Sequence, residues 1–234
     1  MLTVALTITG CTRTDDHAPT SRATTTTQAP AAELADAANR LKNETFAMTM
    51  TVKLDDTDAE LNGDMDPAHE RGALTATTTV DGRRSVQEWR MIGNTVYLKS
   101  NTPTLPGTTS KPWRRIAPTG PDANLTDGLD GAKIADPLRQ ATAVHRTSTG
   151  HYTGTLQIAA LTGFLDSPTS TSGPSGQPPQ SLTFTAETDT QNRLTHYHLD
   201  VPRSRGGTYP IDITYSGFGV PVKVQAPPAE QVAD

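Results

Sequence analysis

Two histidines are the side chains whose spacing most directly suggests chemistry. His196 and His198 stand two residues apart in the segment LTHYHLDV, so on a strand both rings point to one face and could share a metal ion. No third ligand is evident beside them, and Tyr197, Leu199 and Val201 alternate with them on the other face. We therefore expect the histidines to face solvent, and we predict no metal site.

The acidic run DDTDAELNGDMD at residues 55–66 can be compared with a calcium-binding loop. With Asp56 as the first ligand, the third would be Glu60, Leu61 stands where the loop requires glycine, and Pro67 stands where the bidentate glutamate belongs. The pattern fails at two essential positions. We predict an acidic, solvated hairpin.

Signatures of hydrolases and nucleotide-binding enzymes are missing from the sequence. Neither G-x-S-x-G nor H-E-x-x-H occurs, and the nearest approach, Gly173-Pro174-Ser175-Gly176, lies in a low-complexity stretch typical of a linker. No glycine-rich phosphate loop follows a strand. We predict a protein without catalytic residues or cofactors.

Bulk composition excludes several further classes. The 234 residues carry a net charge of −5, and the basic residues are scattered, so no surface for nucleic acid is expected. No stretch reaches the ~18 apolar residues of a transmembrane helix. The single cysteine cannot form an internal disulfide. Leu, Ile, Val and Phe make up about 17% of the chain, which predicts an ordered domain with long polar loops and a one-sided core.

The single cysteine, Cys11, ends an apolar run that opens the chain as MLTVALTITGC. Ten helical residues span about 15 Å, half of a ~30 Å hydrocarbon core, which is typical of a signal peptide. Ile8-Thr9-Gly10-Cys11 resembles the bacterial lipobox, which is cut before a cysteine that then takes a diacylglycerol group. Residues 1–10 lack the basic residues of a signal peptide, so we expect a start codon upstream. An ordinary buried strand is the alternative.

The residues after Cys11 predict a tether followed by a single domain. Residues 11–32 are rich in Thr, Pro and Ala and have hardly a large apolar side chain, so they cannot bury enough surface to offset the entropy of ordering. As a flexible coil they would reach roughly 25 Å. We assign residues 33–234 to one domain.

That domain opens with a helix and a strand. Leu34, Ala37, Ala38 and Leu41 share one face at helical spacing. The period then changes to two in FAMTMTVKL, residues 46–54, whose alternate residues are apolar, as in a half-buried strand.

Alternating segments continue through the rest of the chain. Further strands are predicted in ALTATTTV, SVQEWRMIG, TVYLKS, KPWRRIAP, the 144–161 segment, LTFTAETD, LTHYHLDVP and TYPIDITYS, the last followed by a Gly-rich bend and an extended segment. Leu125, Leu129, Ile134 and Leu138 predict one or two short helices, interrupted before Pro137, within residues 122–144. This order predicts an α+β fold with an antiparallel sheet covered on one side.

Several local phrases resemble the LppX/LprAFG lipoproteins of actinobacteria, which share the half-barrel of the LolA carriers. The phrases are KPWRRIAP at 111–118, GHYTGTLQIAAL at 150–161 and YSGFGVPVKVQAPPAEQVAD at 215–234, and the resemblance covers roughly residues 32–234. It implies a large curved antiparallel sheet, a half-barrel whose concave face is covered by helices. It also implies an apolar cavity that accepts the acyl chains of lipids or glycolipids.

The resemblance and the alternation together define a set of candidate ligand contacts, for which a plain hydrophobic core is the alternative. The candidates are Phe46, Met48, Met50, Val52, Leu54, Trp89, Met91, Leu156, Ile158, Phe184, Ile211 and Ile213. We expect a monomeric lipoprotein, anchored through Cys11 to the extracytoplasmic face of the cell membrane, that binds and transfers a lipid or other hydrophobic ligand. The alternative is a membrane-tethered sensor or scaffold that uses the same fold for protein contacts. An envelope hydrolase is the third of the function classes, after the lipid carrier and the tethered sensor or scaffold.

Overall fold

A computed structural model of the chain describes residues 28–101, 111–116, 133, 135–161, 181–203 and 207–233. The predicted signal peptide, Cys11 and most of the tether lie outside the described residues. So do Leu125, Leu129 and Ile134 of the predicted central helices.

Twelve strands of the described residues form one sheet. The strands are β1 (Phe46–Leu54), β2 (Thr57–Asp66), β3 (Arg71–Val80), β4 (Arg83–Ile92), β5 (Thr95–Ser100), β6 (Trp113–Ile116), β7 (Thr142–Ser148), β8 (His151–Gln157), β9 (Ser181–Thr188), β10 (Leu194–Pro202), β11 (Thr208–Ser216) and β12 (Val232–Ala233). Their order across the sheet is β12-β6-β5-β4-β3-β2-β1-β11-β10-β9-β8-β7. The sheet is curved and open, and every pair except β12 with β6 is antiparallel, as predicted.

The helix α1 (Pro30–Arg40) precedes β1, as the helical spacing predicts. Pro30 occupies the first turn, where its missing N–H costs nothing. The buried side chains of Leu34, Ala37 and Ala38 join the core, and the helix contacts β7, β10 and the short 3₁₀ helix Asp136–Gln140. No helix among the described residues has the length and apolar character needed to cross a bilayer.

Within the described part of the central segment, the predicted helical structure is the 3₁₀ helix Asp136–Gln140. The sequence predicts a strand from residue 144, and β7 begins two residues earlier, at Thr142, which pairs with Thr155 of β8. The first residue of β7 is set by its pairing with β8, a strand that follows it in the sequence. The spacing of apolar residues within the segment itself does not predict this boundary. Leu138 does fold as a buried helical residue, within the 3₁₀ helix.

The strand register gives the sheet two chemically different faces. Met48 of β1, Leu74 of β3 and Trp89 of β4 stand in one row of paired residues and are buried. We call the side of the sheet that carries them the apolar face. The neighbouring row, with Thr49 of β1 and Glu88 of β4, lies on the opposite side, the polar face.

The acidic run at residues 55–66 forms the turn of the β1–β2 hairpin and the whole of β2. Leu61 and Met65 of this strand are buried on the apolar face, while Asp58, Glu60 and Asp64 are exposed on the polar face. The predicted solvated hairpin is therefore present, but one of its faces belongs to the core.

The end of the chain follows the predicted bend and extended segment. Gly217 and Gly219 adopt positive φ angles of 60° and 77°, which allow the chain to turn away from β11. The chain then reaches the far edge of the sheet, where Val232 pairs in parallel with Trp113. This last pairing has no counterpart in the sequence analysis.

Candidate functional site

All twelve candidate ligand contacts lie in, or pack against, one continuous hydrophobic cluster. Seven are buried members of the cluster, and five are partly buried residues at its boundary. The buried members are Phe46, Met48, Trp89, Leu156, Phe184, Ile211 and Ile213, and the partly buried ones are Met50, Val52, Leu54, Met91 and Ile158. Ile158 was predicted in a strand but lies in the 3₁₀ helix Ile158–Leu161, directly after β8 ends.

Burial on the apolar face decreases along β1 towards the β1–β2 turn. Met48 is 2% exposed, whereas Met50, Val52 and Leu54 are only partly buried. Leu54 pairs with Thr57, which pairs with Val80, and the Val80 side chain is 44% exposed. The apolar face thus reaches solvent at the end of the sheet where the β1–β2 and β3–β4 turns lie.

Two buried aromatic side chains of the apolar face have polar atoms without a partner among the described residues. They are the hydroxyl of Tyr197 and the indole Nε1 of Trp89. Tyr197 is fully buried, and its ring packs edge-on against Phe184 with centroids 6.1 Å apart. Burial, and secondarily the neighbouring Tyr215, raises the pKa of Tyr197 well above 10.0. The hydroxyl is therefore a neutral donor held inside apolar surroundings.

Methionine side chains line a narrow part of the same face. A Cβ atom added to Gly72 would lie 2.6 Å from the sulfur of Met65 and 2.7 Å from Cε of Met91. Gly72 therefore leaves room above β3 that the flexible ends of these two side chains occupy. Flexible, polarizable thioethers adapt to contacts of varied shape.

Several buried residues of this face were not among the candidates. Leu61 and Met65 were overlooked because they stand inside an acidic run, although they alternate correctly with its carboxylates. Tyr197 alternates with His196 and His198, which predicts that its side chain lies on the opposite, apolar face. This alternation is the signal in the sequence that could have placed Tyr197 among the candidate ligand contacts. Leu74 and Tyr215 carry the same period-two signal.

A polar cluster fixes α1 against one end of the sheet. The carboxylate of Glu33 accepts a hydrogen bond of 2.9 Å from the hydroxyl of Tyr152 and forms an ion pair with Arg146. Lys42, just after the helix, lies 2.8 Å from Asp136. These contacts hold the helix over the β7–β8 side of the apolar cluster.

His196 and His198 lie on the polar face, as the alternation predicts. Nδ1 of His198 is 2.8 Å from Asp212, and Nε2 of His196 is 3.4 Å from the same carboxylate oxygen. Burial alone would lower the pKa of His198, but hydrogen bonds to Asp212 and Asp200 and the charges of these residues outweigh it and raise the pKa above 6.5. No group of residues in the described ranges has the composition and geometry to hold a metal ion.

No protein-family model matches the chain, and a search of curated proteins finds no match either. The function is therefore inferred from the side chains on the apolar face and the polar face of the sheet.

Proposed function

We propose that the protein is a lipid-anchored carrier of the cell envelope that binds the acyl part of a lipid, or another hydrophobic ligand, on its apolar face. The observation that carries this proposal is the exposure gradient along β1, from buried Met48 to partly buried Leu54 and on to exposed Val80. An apolar face that reaches solvent at the end of the strands, beside the β1–β2 and β3–β4 turns, offers an acyl chain a continuous path from water to the core. Each methylene buried along it contributes about 0.8 kcal/mol.

The unpartnered polar atoms support the same proposal. A buried donor without a partner costs about 1–3 kcal/mol, so native proteins keep few of them. The hydroxyl of Tyr197 and the indole N–H of Trp89 are suited to donate to the ester or carboxyl oxygens of a lipid. Such bonds orient a ligand whose remaining contacts are non-directional.

In this proposal the apolar face is the concave side of a half-barrel, and α1 covers one part of it. The contacts of α1 with β7 and β10 support this arrangement. Release of the ligand would accompany movement of the covering elements. Anchoring would come from the acylated Cys11, since two or more acyl chains hold a protein firmly to a bilayer, whereas one holds it marginally.

The test is ligand binding by paired variants of β1. Met50→Gln keeps the length of the side chain but places a carboxamide on the partly buried apolar face, and Thr51→Gln places the same group on the polar face of the same strand. We expect native mass spectrometry of detergent-free protein to detect a bound lipid. We also expect binding of a fluorescent fatty acid to weaken about tenfold in Met50→Gln but not in Thr51→Gln, since burying an unpaired amide costs about 1–3 kcal/mol.

Two results would contradict the proposal. The first is protein that carries no lipid and does not bind the fluorescent fatty acid. The second is equal binding by the two variants, which would place any lipid elsewhere. The anchor is tested separately, because Cys11→Ala should abolish labelling by an alkyne-tagged palmitate and release the protein from the membrane fraction.

A further inference from the structure

A groove of about 520 Å³ crosses the polar face of β1, β2, β3 and β4. It lies on the opposite side of the sheet from the proposed lipid site. Its volume falls within the roughly 300–1,000 Å³ typical of small-molecule sites. Six polar side chains of the polar face border it, contributed by all four strands: Thr49, Asn62, Asp64, Thr75, Glu88 and Arg90.

Two alanines alternate with two charged residues along one row at the floor of the groove. Ala47, Asp64, Ala73 and Arg90 stand side by side in one row across the four strands. The two alanines project only methyl groups, so the ligand can approach the sheet between the longer charged side chains. A ligand that fits this floor presents C–H groups to the methyls and polar groups to their neighbours.

Contacts within the groove and beside it orient its polar side chains. The hydroxyl of Thr49 donates a 2.8 Å hydrogen bond to the carbonyl oxygen of the Asn62 side chain, whose amide nitrogen donates in turn to Glu60. Glu88 accepts a hydrogen bond of 2.7 Å from Lys99. These side chains are held in place before any ligand arrives, which reduces the entropy cost of binding.

The guanidinium of Arg90 is oriented in the same way. It lies 4.5 Å from the ring centre of Trp113, and its Nη1 donates to the backbone carbonyl of Gln225 in the C-terminal segment. Arginine carries five N–H groups, and of the nitrogens of Arg90 only Nη1 has a hydrogen-bond partner among the described residues.

The charges around the groove select the class of ligand. Asp64 and Glu88 disfavour an anion, while Arg90 and nearby Lys99 disfavour a cation. The bordering groups include both strong acceptors and strong donors, so the ligand must offer both as well. A hydroxyl group does so, and a pyranose ring combines several hydroxyls with an apolar C–H face.

From this combination we infer that the polar-face groove binds a neutral saccharide. The carboxylates accept from sugar hydroxyls, Arg90 donates to sugar oxygens, and the methyl group of Ala47 or Ala73 contacts the C–H face. The same saccharide chemistry occurs in a free glycan and in the headgroup of a glycolipid. The site does not depend on the proposed lipid-binding function, since the two lie on opposite faces of the sheet.

The experiment follows backbone amide shifts of the full chain by NMR during titration with maltotriose, cellotriose and mannotriose. Glucuronate and glucosamine serve as anionic and cationic comparisons. We expect at least one neutral trisaccharide to shift amides at 47–49, 62–64, 73–75 and 88–90. Failure of all three to do so overturns the inference, and so does tighter binding of either charged sugar at the groove.

A matched pair of variants on β2 tests the role of the carboxylate. Asp64 and Asp58 are both exposed on the polar face, but only Asp64 borders the groove. We expect Asp64→Asn to weaken trisaccharide binding about tenfold, in line with the loss of hydrogen bonds to a charged acceptor, and Asp58→Asn to leave it unchanged. Equal weakening by both variants overturns the site.

Octyl maltoside, used as a monomer, distinguishes the two sources of saccharide. Shifts confined to the groove support a free glycan, whereas additional shifts near Met50 and Val52 support a glycolipid that reaches both faces. Either pattern supports the groove itself. A fatty acid that shifts Met50 while no sugar shifts the groove would leave the lipid proposal intact and overturn this one.

Discussion

The hydroxyl of Tyr152 on β8 donates a hydrogen bond of 2.9 Å to the carboxylate of Glu33 on α1. The same carboxylate forms an ion pair with Arg146 of β7, and the side chain of Glu33 is only 17% exposed. One acidic residue thus joins the first helix to two strands that come more than a hundred residues later in the sequence. This contact helps to hold α1 against β7 and β8.

We expect Glu33→Ala to lower the free energy of unfolding by about 2 kcal/mol, because it leaves the Tyr152 hydroxyl and the Arg146 guanidinium without their acceptor. Glu33→Gln keeps an acceptor for Tyr152 and should cost about half as much. Urea unfolding measures both changes. Asp36→Ala on the exposed face of the same helix is the control and should stay within about 0.5 kcal/mol of the wild type. An equal loss for Asp36→Ala would show that Glu33 has no special role.

Two buried tyrosines should respond oppositely to removal of the hydroxyl. The hydroxyl of Tyr197 has no partner among the described residues, whereas that of Tyr152 is bonded to Glu33. Tyr197→Phe should leave the stability of ligand-free protein unchanged or raise it by up to about 1 kcal/mol, while Tyr152→Phe should lower it by about 1–2 kcal/mol. Urea unfolding of delipidated protein makes the comparison. A loss above about 1 kcal/mol for Tyr197→Phe would mean that this hydroxyl has a structural partner.

The elements predicted best from sequence were those whose own residues carry the full pattern. Five alternating apolar residues from Phe46 to Leu54 identified β1, and the helical spacing of Leu34, Ala37 and Ala38 identified α1. In both cases one side of the element faces a single apolar cluster and the other faces solvent. The period of the apolar residues in the segment directly predicts an element with one buried and one exposed side.

The features that local pattern could not predict depend on partners distant in sequence. Thr142 lies in a strand because it pairs with Thr155 of β8, and β12 exists because β6 offers an edge. Trp113 stands on the polar face yet is only 4% exposed, since Arg90 packs against its ring. The groove on the polar face likewise arises from four strands, and no single segment contains its pattern.

Two glycines with the same φ angle allow the energetic cost of a left-handed backbone to be distinguished from the cost of a steric clash. Gly150 in the β7–β8 turn and Gly82 in the β3–β4 turn both have φ of 74°. A Cβ at Gly150 would lie 2.6 Å from the backbone carbonyl oxygen of Thr188, whereas one at Gly82 meets nothing within 4 Å. Gly82→Ala should therefore cost about 1–2 kcal/mol from the left-handed conformation alone, and Gly150→Ala should cost clearly more.

Thermal and urea unfolding of the two glycine variants provide the measurement. The difference between them gives the cost of moving β9 away from the turn, since Thr188 also donates its N–H to the carbonyl of Gly150. Equal losses would mean that the turn relaxes without strain.

His198 on β10 predicts how stability depends on pH. The hydrogen bond and charge of Asp212, together with Asp200, raise the pKa of His198 above 6.5 despite the opposing effect of burial. A group with a raised pKa in the folded state stabilises the protein while it is protonated. Its contribution is therefore complete below about pH 6.5 and is lost as the pH rises through the folded pKa of His198.

We expect the stability difference between wild type and His198→Gln to be larger at about pH 5.5 than at about pH 8.5. Asp212→Asn removes the principal partner of His198, so it should lower the pKa of this histidine and reduce the pH dependence. Urea unfolding across this range, combined with NMR titration of the His198 ring, measures both effects. Neighbouring His196 also faces Asp212, at 3.4 Å, so His196→Gln is needed to separate the two rings. If His196→Gln alone removes the pH dependence, the effect belongs to that ring, and the role assigned to His198 is wrong.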